Sequence, residues 1–151
     1  MNNRRYSSRP SDKQRKYEEF LSQQNYKERL NWFRCLPTML TVMVEFINES
    51  KQKLSNNQDL YDRFTSNTLP ELRNEYKIIN DILKCQDGKP TEKDELASIS
   101  ALSAMIFKIN GWQRDTHFGL GIKKTVDHTY YGKAQIIKEF EIIKTEVNYG
   151  R

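Results

Sequence analysis

Cysteine is nearly absent: Cys35 and Cys85 are the only two in 151 residues. That excludes a disulfide framework, and neither cysteine stands at a zinc-ligand spacing from other donors. Two reduced thiols in an intracellular, cytoplasmic protein is the expectation. Long apolar runs are also missing. No stretch approaches the roughly 18 consecutive apolar residues of a membrane span, and the basic N-terminus has no apolar segment like that of a secretory signal. No membrane contact is therefore expected. Glycine is scarce, with six in the chain. Gly119-Leu120-Gly121 is too sparse for a phosphate-binding loop, having no Gly-Lys-Ser/Thr after it and no strand before it. Histidine is limited to His117 and His128. No cofactor is implied.

What the chain does hold is charge, at 30% of residues against 36% hydrophobic. The net charge is +5, and its location matters more than its size. Residues 1–16 contain Arg4, Arg5, Arg9, Lys13, Arg15 and Lys16 against Asp12 alone, and the rest of the chain is balanced. A neutral body with a basic arm points to nucleic acid or another acidic surface as partner. Residues 1–11 are read as that flexible arm and 12–151 as a single helical domain.

Helical periodicity dominates the chain beyond the arm. Ser11 with Gln14 makes a capping pattern, and a helix is predicted over 12–34 with Tyr17, Phe20, Leu21, Tyr26, Leu30 and Phe33 as its apolar face. That face slips in phase across Gln23-Gln24-Asn25, which predicts a kink there. Pro37 predicts a full break, because the residue before a proline is pushed out of the α region. A second helix then carries Leu36, Met39, Leu40, Met43, Val44 and Ile47 at spacings of three and four. A short helix from Gln58 to about Ser66 and another capped by Thr68 and Glu71 come next. Asp87-Gly88-Lys89-Pro90 is a turn.

The least polar window, 96–109, reads as a helix apolar on nearly every side, begun by a Thr91/Asp94 cap and ended by Asn110-Gly111. Such a helix is buried by its neighbours. Residues 110–132 show no sustained period and hold four of the six glycines, so they read as one long irregular loop. The last helix, from Lys133 on, carries Ile136, Phe140, Ile143 and Val147 inward and Lys138, Glu139, Glu141, Lys144 and Glu146 outward. The predicted fold is all-α: a single-domain bundle of five or six helices around a buried central helix at about 92–109.

Two regions are candidates for binding. The arm's arginines and lysines can each neutralise a phosphate, and Tyr6 and Tyr17 can stack on unpaired bases. If its helix extends back on binding, positions 9, 13 and 16 form one basic stripe. The loop interleaves aromatic and basic residues: Trp112, Arg114, Phe118, Lys123, Lys124, Tyr130 and Tyr131. Stacking faces beside cations are what a single-stranded nucleic acid requires. The bland alternative for Trp112 is that it anchors the loop to the core. His117 and His128 could run metal-independent RNA cleavage only if both rings reached one phosphate, and nothing in the spacing places them so. The function expected is a non-enzymatic accessory subunit that binds single-stranded RNA or DNA within a larger nucleoprotein assembly. The alternative is a protein–protein adaptor anchored by Tyr17, Tyr26, Trp32 and Phe33.

Overall fold

The computed structural model describes residues 11–84, 89–116 and 132–149, and every element within them is helical. The first, α1, runs unbroken over Asp12–Lys53. Ser11, in extended backbone, accepts the Gln14 amide on its side chain at 3.1 Å and so satisfies one of the orphan donors of the first turn. Lys51 and Lys53 stand in the last turn, where the helix dipole favours cations.

The break expected at Pro37 does not occur, and the helix also runs uninterrupted through Gln23-Gln24-Asn25. Pro37 lies inside α1 and faces solvent, although a proline in a helix interior costs about 3 kcal/mol. The reason is what flanks it. Trp32, Phe33 and Leu36 before the proline and Met39, Leu40, Met43, Phe46 and Ile47 after it form one buried stripe, and only a continuous helix keeps that stripe in register. Burial of eight large side chains, at about 1.5–3 kcal/mol each, outweighs the local preference.

Asn57 caps the next helix, α2 (Gln58–Arg63), by accepting the Leu60 amide at 3.2 Å. This helix does not stop. Phe64–Thr68 forms a π-helical turn that leads directly into α3 (Leu69–Lys84), so the expected Thr68–Glu71 cap has no helix end to serve. The wider turn, with its i→i+5 pattern, puts Phe64 and Leu69 on the same buried face as Leu72 and Ile79.

The Thr91/Asp94 cap forms as a reciprocal pair. The Asp94 amide donates to Thr91 Oγ1 at 3.1 Å and the Thr91 amide to Asp94 Oδ2 at 3.3 Å. The helix it starts, α4 (Glu92–Thr116), passes through Asn110-Gly111 and continues two turns beyond the expected stop. Burial again decides: Ile109 and Trp112 both point inward, and the Trp112 ring meets Phe64 edge-on at 5.6 Å. The irregular loop therefore does not begin at 110.

α4 packs mainly on α3 and also touches α1, the π turn and the final helix α5 (Lys133–Tyr149). It is not apolar all round in the sense expected, since Leu96 is 53% and Phe107 47% exposed. The core is shared between α4 and the second half of α1 rather than gathered about α4. Among the described residues there are four helices longer than two turns, α1, α3, α4 and α5, fewer than the five or six expected. The missing boundaries are those at Pro37 and around Thr68. In α5, Ile136, Phe140 and Ile143 are buried as their spacing predicts, but Glu139 is buried too, at 1% exposure, its Oε1 accepting from Gln135 at 3.0 Å.

The proline yields a direct test. Pro37→Ala should raise the unfolding free energy by about 1–3 kcal/mol, read from urea denaturation. A loss of stability would mean that the chain uses a break at this point.

Candidate nucleic-acid interface

Every residue from 11 to 28 is exposed, so the first half of α1 is a helical arm continuous with a packed second half. Lys13, Arg15 and Lys16 lie on it, and Arg15 is paired with Asp12. Arg4, Arg5 and Arg9 lie outside the described residues. Tyr17, Phe20, Leu21 and Tyr26, read from the sequence as the buried face of this helix, are exposed instead, Tyr17 at 61% and Phe20 at 54%. Every face of this stretch is exposed, including Glu18, Ser22 and Asn25 in line with the core stripe, because it extends past the residues that the core covers. The apolar stripe of 17–21 is in addition turned roughly a quarter turn away from the stripe that begins at Trp32.

Polar contacts fix the arm at its base. Trp32 Nε1 donates to Ser98 Oγ at 2.8 Å, and Ser98 in turn donates to the Glu95 carbonyl at 2.7 Å. The Arg29 guanidinium, 5.9 Å from the Tyr26 ring, has its buried Nε 3.8 Å from Glu95 Oε1. Glu95 also receives Lys133, the first residue of α5. One carboxylate in the first turn of α4 thus joins α1, α4 and α5. Of the aromatic anchors considered for an adaptor, Trp32 and Phe33 are buried in the core, and only Tyr17 and Tyr26 are accessible.

The second region lies at the other end of α4. Trp112 is 8% exposed and packed on Phe64, so its ring anchors the core and offers little face to a base. Arg114 lies 3.7 Å from Asp115. Both line a cleft of about 340 Å³ with Arg63, Asn67, Thr68 and Lys108, whose ammonium is 3.1 Å from Glu71. Lys123, Lys124, Tyr130, His117 and His128 lie outside the described residues. From Glu95 to Trp112 the helix rises about 25 Å, so the structure does not bring Trp112 and Arg114 together with Lys13 and Lys16. It leaves them at opposite ends of α4. Among the described residues, no group of three His, Cys, Asp or Glu side chains could hold a metal ion, and no helix is long and apolar enough to cross a membrane.

Comparison of the chain with protein-family models, curated proteins and solved structures gives no match. The functional reading rests on the site alone.

Glu75 supplies a pH test of the α3–α4 packing beside the cleft. Burial pushes its carboxyl above the ordinary carboxylate value, Lys108 opposes that shift, and Glu71 adds to it. The proton is held more tightly in the folded state, so stability falls as pH rises from the unfolded-state value of about 4.3 to the higher folded one. Glu75→Gln should therefore unfold at a higher temperature than the parent at pH 7, with the difference gone by about pH 4. An equal or lower melting temperature at pH 7 would contradict this account of Glu75.

Proposed function

We propose that this protein is a non-catalytic accessory subunit that binds single-stranded RNA or DNA inside a larger nucleoprotein assembly, gripping backbone and bases without reading sequence. The observation that supports this most is the coincidence of two segregations. All of the net positive charge resides in residues 1–16, and the described part of that segment belongs to a helical arm that the core leaves exposed. Cations on such an arm neutralise phosphates and release counterions, while Tyr17 beside them can stack on a base. Arg4, Arg5, Arg9, Lys13, Arg15 and Lys16 carry the binding in this reading. Arg114, in the last turn of α4, together with Lys123, Lys124 and Tyr130 makes a separate, secondary contact in this reading.

The adaptor reading keeps one observation in its favour: Tyr17, Phe20 and Leu21 are large apolar side chains on the surface, and aromatics dominate protein interfaces. A partner retained after nuclease treatment of a lysate would favour it.

Binding to oligo-U and oligo-dT, titrated with salt, tests the proposal. Affinity should be clear at low salt. Deleting residues 1–16 should weaken it sharply and flatten the log–log salt slope by about 4, at about 0.7 per phosphate contact for a single strand. Absence of binding at low salt, or binding indifferent to the deletion, would overturn the proposal.

A further inference from the structure

The continuity of α1 has a consequence for charge that neither half of the helix shows by itself. At about 100° per residue, Lys13, Lys16, Phe20, Lys27 and Arg34 fall within a sector roughly 60° wide, and Tyr17 borders it. All six are exposed. Asn31 lies among them, and Gln23 and Gln24 flank them, neutral and exposed as well. The acidic residues of this stretch, Asp12, Glu18, Glu19 and Glu28, all project outside the sector, and Asp12 is engaged with Arg15. The core stripe of Trp32, Leu36, Met39 and Met43 points nearly the opposite way, so the basic face looks away from the packed half of α1. A break at Asn25 would have scattered these side chains. An unbroken helix lines them up over about 32 Å, at 1.5 Å of rise per residue.

The composition of this face selects its occupant. Four cations with no anion among them suit a polyanion. The aromatic pair in the middle, Phe20 more than half exposed, suits flat apolar surfaces, and in a polyanion those are unpaired bases. A duplex presents phosphates but hides its base faces in the stack. An acidic protein helix offers carboxylates without the flat apolar groups. We propose that a single strand of RNA or DNA lies along this face of α1, with phosphates on Lys13, Lys16, Lys27 and Arg34 and bases stacked on Phe20 and Tyr17. This path rests on the nucleic-acid function proposed for the basic arm and extends the contact to Arg34. At a stacked rise of 3.4 Å per nucleotide the face accommodates about nine nucleotides. Arg15, on the other side of the helix, does not belong to it.

The test uses the full-length protein, labelled oligo-U and oligo-dT longer than the face, and a duplex of the same length. Phe20→Ala should weaken single-strand binding about five-fold or more, the loss of one stacked base. The double variant Lys27→Gln/Arg34→Gln should lower the log–log salt slope by about 1.4. Lys77→Gln, an exposed change on α3, should alter neither. Because the substituted side chains are exposed, melting curves should match the parent, which separates lost contact from lost fold. If the parent binds a strand but neither Phe20→Ala nor the double variant changes affinity or slope, the path is wrong while the nucleic-acid function stands. If the parent binds no strand, the underlying reading is wrong. A parent that prefers the duplex, or a dimer that Phe20→Ala converts to monomer, would assign the face to a different occupant and overturn the proposal.

Discussion

The constraint on which the rest of the structure depends is the phase of a single helix. A helix advances by a fixed angle per residue, so two apolar stripes written in different phase cannot face the same side unless the backbone breaks between them. In α1 it does not break. The stripe from Trp32 to Ser50 is held by the core, and the stripe at Tyr17, Phe20 and Leu21, a quarter turn away and beyond the residues that the core covers, stays in solvent. The alignment of the basic face results from that continuity.

An isolated helix the length of the arm would be marginal in water, because nucleation is costly and propagation gains little. Here nucleation is supplied by the packed half, and the arm is only propagation from an anchored end. What anchors it is local and polar as well as apolar. Trp32 gives its indole N–H to Ser98, and Glu95 gathers Arg29 and Lys133. Removing the Ser98 hydroxyl would leave a buried donor unsatisfied, at a cost of about 1–3 kcal/mol. The same few residues therefore set both the stability of the junction and the direction in which the arm points. The π turn plays a comparable part at the other end, adjusting the register so that Phe64 reaches Trp112.

Much of this is legible in the sequence. The helical class, the Ser11 and Thr91/Asp94 caps, and the inward residues Met39, Leu40, Met43, Ile106, Ile136, Phe140 and Ile143 come from period and local chemistry. The boundaries expected at Pro37, Thr68 and Gly111 fail for a common reason. Each rests on a local stop or start signal, and each is overruled by large side chains on both sides that need one continuous register. Leu96 and Phe107 depart from expectation because an apolar window does not say which of its members meets a neighbour. Glu139 looks outward by spacing and is buried. At the candidate site the charge of the arm is readable from composition. The surface position of Phe20 is not, and neither is the alignment of Lys27 and Arg34 with the arm, because both depend on whether the helix breaks. The phase slip at Gln23-Gln24-Asn25 is the available signal. It suits a kink, but an uninterrupted helix with a rotated stripe explains it equally well, and the structure shows the helix uninterrupted there.

The central claim, that α1 is one continuous helix from arm to core, is open to a single distance measurement. Nitroxide labels at Gln24 and Asn48, both exposed, with Cys35 and Cys85 replaced, lie 24 residues apart. Pulsed electron resonance should give a narrow distribution centred near 36 Å, at 1.5 Å per residue. A broad distribution, or one centred well short of that value, would show a break between the halves and remove the basis for the aligned basic face.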